Sequence, residues 1–175
     1  MKPVTVLTVL FLACILISGI VRCAGNDGAS GTGAPDFMLT DIDSNRFYLS
    51  EQKGKPVLLN FWSIHCAPCL VEMPKLQKLA DSLSHKGVTF IGICNDPGED
   101  GYIESLLKKL GVTYTNLIDE DKTVTEKYSV SALPATFIID HTGAIRFHKV
   151  GYDEQYLEKY RNIIEIILHE KKTKK

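Results

Sequence analysis

The chain as a whole has almost no net charge, but its positive charges are scarce in residues 35–170. Its 175 residues carry 20 Lys and Arg against 21 Asp and Glu, and residues 35–170 alone carry 14 against 20. An acidic surface of this kind repels phosphate backbones, so nucleic acid is not an expected partner. The chain also lacks internal repeats. Its 45% hydrophobic and 23% charged residues are typical of a globular domain and exclude a disordered or fibrous chain.

Cysteine is scarce, and its arrangement disfavours a structural zinc site. The five cysteines include a single Cys-x-x-Cys motif, Cys66 and Cys69, with no second pair to complete a tetrahedral site. A metal site would have to add His65, and three ligands so close along the chain fit such an ion poorly. We therefore favour a redox dithiol and expect neither a metal nor a cofactor. Cys94 ends a predicted buried strand, where a cysteine more often packs than reacts.

Charge is missing from the N-terminal segment. The run from Pro3 to Val21, about 19 residues, contains no charged side chain and is dominated by Val, Leu and Ile. A helix of that length spans about 30 Å, roughly the hydrocarbon core of a bilayer. We expect residues 1–22 to form a retained signal anchor, with a cleaved signal peptide and a lipoprotein signal as alternatives.

The N-terminal segment sets the expected domain organisation and location. Residues 23–34 contain several glycines and are expected to be a flexible linker, and residues 35–170 a folded domain. Residues 171–175 are expected to be a basic tail. Each alternative for residues 1–22 places the domain outside the cytoplasm, in the periplasm or on the extracytoplasmic face of the membrane, where disulfides persist.

Hydrophobic patterning predicts an α/β domain with a central mixed β-sheet flanked by helices on both faces. A continuous apolar run such as 57–62 is typical of a strand buried on both faces, and spacings of three and four indicate helices. Residues 112–122 are predicted to be a loop. The predicted elements are a hairpin within 37–49, strands 57–62, 88–94, 135–139 and 144–150, and helices 66–85, 103–110, 123–128 and from Asp153 onward.

The Cys-x-x-Cys motif falls where the first buried strand gives way to a helix. If Cys66 caps that helix, its sulfur faces unpaired backbone N–H groups and the positive end of the helix dipole. Both favour the thiolate, so Cys66 is expected to be the attacking sulfur. Cys69 lies one turn further in and can form a disulfide with Cys66 or resolve a mixed disulfide. Pro68 suits the first helical turn and removes one backbone donor to the sulfur, which is expected to influence the reduction potential.

Two further residues are candidates for the chemistry. Glu72 lies one turn beyond Cys69, where a partly buried carboxylate could relay the proton of the inner thiol. A solvated helix glutamate is an equally good interpretation of that spacing. Pro134 precedes a predicted strand, where proline costs a ladder hydrogen bond, and a cis peptide bond is one reason for such a position. Trp62 is expected to pack beside the dithiol and support its loop.

Four motifs together resemble the membrane-tethered TlpA/ResA-type thiol–disulfide oxidoreductases of the redoxin/AhpC-TSA superfamily. The resemblance covers about residues 35–168 and implies a thioredoxin fold. It also implies that Pro134 is cis beside the dithiol, that the backbone around it pairs with the substrate chain, and that Glu72 is the family's acidic residue near the cysteines. The motifs are Asn60-Phe61-Trp62, Cys66-Ala67-Pro68-Cys69, Glu72-Met73-Pro74 and Leu133-Pro134-Ala135-Thr136-Phe137.

The chain departs from the family pattern at three positions near these motifs. His65 stands where the family usually has Trp, Ala132 where it commonly has Gly, and Ala135 where it commonly has Thr. His65 either tunes the reactivity of the Cys66 thiolate or is a surface replacement without effect. The dithiol chemistry is unaffected by these changes, but the substrate is left open.

The leading hypothesis is an extracytoplasmic thiol–disulfide oxidoreductase that reduces disulfides in exported proteins. The resemblance implies apocytochrome c as one possible client and a membrane electron donor for re-reduction. One alternative is a copper or zinc chaperone that uses Cys66, Cys69 and His65. Another is a peroxiredoxin-like peroxidase, which would need Thr-x-x-Cys where residues 63–66 read Ser-Ile-His-Cys.

Overall fold

A computed structural model of the chain describes residues 33–97 and 101–173. The predicted anchor of residues 1–22 lies outside the described residues, as does the linker up to residue 32. The described part forms seven strands and four α-helices. They are β1 (Met38–Asp41), β2 (Arg46–Tyr48), β3 (Val57–Trp62), α1 (Ala67–Leu83), β4 (Thr89–Cys94), α2 (Tyr102–Leu110), β5 (Thr115–Ile118), α3 (Thr123–Lys127), β6 (Ala135–Ile139), β7 (Ile145–Val150) and α4 (Gln155–Thr173).

The strands form one mixed sheet in the order β2-β1-β5-β4-β3-β6-β7. The central strands β3, β4 and β5 run parallel, and the flanking strands pair antiparallel. Parallel neighbours need crossover connections, and α1 and α2 provide them. The predicted central mixed sheet flanked by helices is confirmed.

Strand β3 is at the centre of the sheet, and all 6 of its residues are buried because both faces of the sheet are covered. Leu58 packs with side chains of α1 and α4 on one face. Leu59 and Phe61 pack on the other face with Val124 of α3 and Phe37 of the N-terminal segment. The prediction that the apolar run 57–62 is a strand buried on both faces is therefore confirmed.

Strand β5 corrects the prediction of a loop at residues 112–122. Thr115–Ile118 pairs in parallel with β4 and antiparallel with β1, so it joins the hairpin of β1 and β2 to the rest of the sheet. The strand has 4 residues, of which only Asn116 and Leu117 are buried. So short a segment has no apolar periodicity of its own, and its sheet partners define it.

The ends of the described chain extend beyond the predicted domain boundaries. The Ala34 N–H donates to Gly143 O at 2.8 Å, and Gly33 forms a bridge with Ala144, so the contacts begin before Pro35. At the other end α4 continues to Thr173, into the predicted tail, and Lys171 Nζ donates to Gly54 O at 2.5 Å. No helix within the described ranges is both long and apolar enough to cross a membrane.

Candidate active site

The junction between β3 and α1 holds Cys66 at the helix N-cap, as predicted. Its backbone is extended, with φ −96° and ψ 91°, and its Sγ accepts a hydrogen bond from the Cys69 N–H at 3.3 Å. Pro68 lies in the first turn, where it removes no bond because that turn's N–H groups lack intrahelical partners. The helix therefore presents its positive end and a backbone donor to the sulfur of Cys66.

The two cysteines form a disulfide with a Cα–Cα distance of 5.2 Å and differ in exposure. Cys66 is half-buried, whereas Cys69 is completely buried in a cluster with Trp62 and Met73. A thiol or disulfide from another molecule can therefore approach the sulfur of Cys66 and not that of Cys69.

Glu72 is buried on α1, one turn beyond Cys69, with 1% of its surface exposed. Its Oε2 accepts a hydrogen bond from Asn60 Nδ2 at 3.0 Å. Burial raises the pKa of Glu72 to about 7, and the Asn60 hydrogen bond and the charge of Lys149 partly oppose that rise. The alternative of a solvated helix glutamate is therefore wrong, and this carboxyl exchanges its proton near neutral pH.

Pro134 precedes β6, and the Leu133–Pro134 peptide bond is cis, as the resemblance implies. The next residue, Ala135, pairs with Phe61 of β3, which places Pro134 beside the end of β3 where the cysteine loop begins. Leu133 packs against the cluster that contains Trp62 and Cys69, and Cys66 packs against the same cluster. The Gly151 N–H donates to Pro134 O at 2.7 Å and fixes this loop from the end of β7.

Trp62 is buried beneath the dithiol and is fixed by a hydrogen bond across the sheet. Its Nε1 donates to Asn116 Oδ1 at 2.9 Å, and its ring packs with Cys69, Met73 and Cys94. Trp62 therefore packs beside the dithiol.

Comparison with known proteins identifies the family. The sequence profile described as the AhpC/TSA family matches residues 30–148. The chain belongs to the AhpC/TSA family. It is 37% identical over 119 residues to the thiol-disulfide oxidoreductase ResA of Geobacillus kaustophilus, covering 67% of each chain. It is 34% identical over 144 residues to ResA of Bacillus subtilis, covering 81% of this chain and 79% of the relative.

A solved structure from Bacteroides vulgatus supports the same assignment. The thioredoxin domain of a thiol-disulfide oxidoreductase from that organism superposes with a TM-score of 0.68 at 26% sequence identity. The match covers 78% of this chain and 99% of that domain. The predicted thioredoxin fold is confirmed, and so is the predicted enzyme class, thiol–disulfide oxidoreductase.

Two side chains beside the dithiol of this AhpC/TSA protein have different environments. His65 is exposed and lines a small cavity of about 100 Å³ together with Asp96 and Tyr102. Cys94 is buried, and burial raises the pKa of its thiol to about 12, so it stays protonated. Its burial agrees with the expected packing role. Among the described residues, no three His, Cys, Asp or Glu side chains are grouped closely enough to hold a metal ion.

The residues that support the site in this AhpC/TSA protein were not all predicted. Asn60 was noted only as part of a motif, and Asn116 and Gly92 were not predicted to support the site. Asn60 did carry a usable signal, because a polar side chain inside the apolar run 57–62 needs a buried hydrogen-bond partner. Asn116 had no such signal, since its segment was assigned to a loop.

Replacing Gly92 with Ala is expected to destabilise the site. An added Cβ would lie 2.0 Å from Asn116 Oδ1 and 3.1 Å from Trp62 Nε1, so it would displace the Trp62–Asn116 hydrogen bond. We expect the free energy of unfolding to fall by about 3 kcal/mol in guanidinium titrations followed by circular dichroism. Gly33→Ala is the matched control, because its Cβ meets no atom within 4 Å, and a change below about 0.5 kcal/mol is expected. Equal effects in both variants would contradict this account of Gly92.

Proposed function

We propose that this protein reduces disulfide bonds in exported proteins on the extracytoplasmic side of the membrane. The single observation that carries the proposal is the difference between the two sulfurs. Cys66 is half-buried at the positive end of α1, and Cys69 is completely buried one turn further in. This difference separates the roles of attacking and resolving thiol between Cys66 and Cys69.

The proposed reaction has two steps. In the reduced protein, the Cys66 thiolate attacks one sulfur of a client disulfide, the client S–S bond breaks, and the other client sulfur leaves as a thiolate that takes up a proton. Cys69 then loses its proton and attacks the Cys66 sulfur of the mixed disulfide, which releases the second client thiol. Two electrons have moved to the client, and the protein is left with the Cys66–Cys69 disulfide seen in the structure.

Glu72 is the proposed acceptor of the Cys69 proton. The two side chains are three residues apart on one helix, both are buried, and residues at this spacing are neighbours on the helix surface. With a pKa of about 7, the carboxyl is ionised in about half of the molecules at neutral pH, so it can accept a proton and return it later.

Substrate and location follow by analogy with the family. The backbone around Pro134, beside the end of β3, is proposed to pair with the client chain. The relatives named ResA are thiol-disulfide oxidoreductases. Residues 1–22 are proposed to anchor the protein in the membrane. A membrane electron donor is proposed to re-reduce the dithiol. Apocytochrome c is proposed as one client.

Glu72→Gln is expected to slow the resolving step about 100-fold at pH 7, because Gln cannot accept the Cys69 proton. In single-turnover reactions of the reduced full chain with insulin, the wild-type rate should rise with pH, with a midpoint near pH 7, and level off at higher pH where Glu72 is fully ionised. The variant should lack that transition. Fluorescence of the single Trp, Trp62, which packs against Cys69, reports formation of the disulfide.

Two outcomes would count against this proposal. If the reduced wild-type protein leaves insulin disulfides intact, the proposed reductase function is wrong. If wild type and Glu72→Gln have the same pH profile, only the proposed proton transfer from Cys69 to Glu72 is wrong. Glu158→Gln is the matched control, since this exposed glutamate lies on α4 and should leave the profile unchanged.

A further inference from the structure

Asn60 lies in the middle of β3 and is completely buried. Its Nδ2 is 3.0 Å from Glu72 Oε2 and 3.0 Å from Thr136 Oγ1. We propose that Asn60 is a positioning residue that holds the Glu72 carboxyl in the orientation required for proton exchange with Cys69. The inference rests on the proposed function, in which Glu72 accepts that proton.

The contacts of Asn60 join three elements of the fold. Asn60 and Thr136 are directly opposite each other in the antiparallel pairing of β3 with β6, so their side chains share one face of the sheet. Glu72 reaches the same point from α1. Each of the two protons on the Asn60 amide nitrogen therefore has an acceptor, one on the helix and one on the strand that follows Pro134.

Burial limits the orientations that these side chains can adopt. Asn60, Glu72 and Thr136 are at most 1% exposed, so water does not compete for their hydrogen bonds. The bond to Thr136 fixes the plane of the Asn60 amide, and the amide in turn fixes Oε2 of Glu72. The carboxyl therefore has one preferred orientation on α1.

The buried amide of Asn60 also lowers the stability of the fold. A residue with a purely structural role would not need to carry this cost. Within the described part of the chain, Asn60 Oδ1 is buried and has no hydrogen-bond partner. An apolar side chain of similar size would avoid that desolvation cost. An amide, however, donates a hydrogen bond to the Glu72 carboxylate, which an apolar side chain cannot do, and so favours the ionised form.

Other titratable groups face Glu72 from the surrounding elements. Lys149 of β7 favours the carboxylate, as Asn60 does. Tyr114, next to β5, and Tyr160 of α4 are both influenced by Glu72, and burial raises the pKa of each phenol, so both stay protonated. Cys69 lies one turn away on α1 itself. Asn60 is the neighbour of Glu72 that donates a hydrogen bond to it directly.

The experiment measures the titration of Glu72 and the rate of the resolving step in the reduced full chain. The Glu72 side-chain carbon is followed by 13C NMR across pH 5 to 9 in wild type and in Asn60→Leu, which keeps the branched shape of the side chain and removes the donor. We expect the midpoint of the variant to rise by about one pH unit, because the carboxylate loses its hydrogen bond. The resolving rate at pH 7 should fall about tenfold.

Two further variants keep the test decisive. Asn60→Asp has nearly the shape of the original side chain and should raise the midpoint further, since a second carboxyl opposes ionisation of Glu72. It also replaces Asn60→Leu if that protein does not fold. Asn162→Leu is the matched control, because it makes the same substitution at an exposed position on α4. Its midpoint should move by less than about half a unit.

The outcomes separate this inference from the function on which it rests. If Glu72→Gln removes the pH transition but Asn60→Leu and Asn60→Asp leave the midpoint and the rate unchanged, the role of Asn60 is overturned and that of Glu72 stands. If Glu72→Gln itself leaves the transition in place, the proton step fails and the role of Asn60 fails with it. A raised midpoint and a slower resolving step in the Asn60 variants support the inference.

Discussion

Cys66→Ser is expected to abolish disulfide reduction, with a loss of at least about 1,000-fold. The serine hydroxyl does not ionise at neutral pH and is a poor nucleophile toward sulfur, so the N–H of Cys69 and the dipole of α1 no longer have a thiolate to stabilise. Cys69 cannot replace it, because its completely buried sulfur is out of reach of a client disulfide.

Reduction of insulin by the dithiothreitol-reduced full chain, after removal of the reductant, measures this effect. Cys94→Ala is the matched control, since it also removes one thiol but leaves the dithiol intact, and its rate should stay within about twofold of wild type. Full reductase activity in the Cys66→Ser protein would remove the proposed mechanism.

Cys69→Ser is expected to accumulate mixed disulfides with clients. In this variant Cys66 still attacks, but the second thiol that releases the client is absent, so the covalent intermediate persists until an external thiol reaches it. The half-buried position of Cys66 slows that release, because a small thiol must enter the same opening as the client.

The trapped complexes identify the client directly. Expression of the tagged full chain, acid quenching and non-reducing electrophoresis should show adducts that disappear on reduction, and mass spectrometry should assign them to exported proteins linked through Cys66. The variant with both Cys66→Ser and Cys69→Ser is the control and should capture nothing. Adducts confined to cytoplasmic proteins would contradict the proposed location, and a cytochrome c precursor among them would support the client inferred from the family.

Much of the fold could be predicted because it depends on short-range patterns. The apolar run 57–62 marks a doubly buried strand, and the spacing of apolar residues marks α1. Strand β5 was missed, since its 4 residues become a strand only through pairing with β1 and β4. The extent of α4, which continues to Thr173, depends on the tertiary structure, in which Lys171 contacts Gly54.

The sequence by itself was enough to identify the dithiol. Cys66, Pro68 and Cys69 lie at the N-terminus of a helix, and that N-terminus is defined by residues close by in the sequence. The sequence left Glu72 undecided between a solvated side chain and a buried proton acceptor, because helix spacing does not reveal what covers the helix. Only the tertiary structure decided this. It brings to the carboxyl an amide from 12 residues away and, through that amide, a hydroxyl that is 76 residues from Asn60. Burial and long-range hydrogen bonds, and not local spacing, set the proton affinity of a side chain.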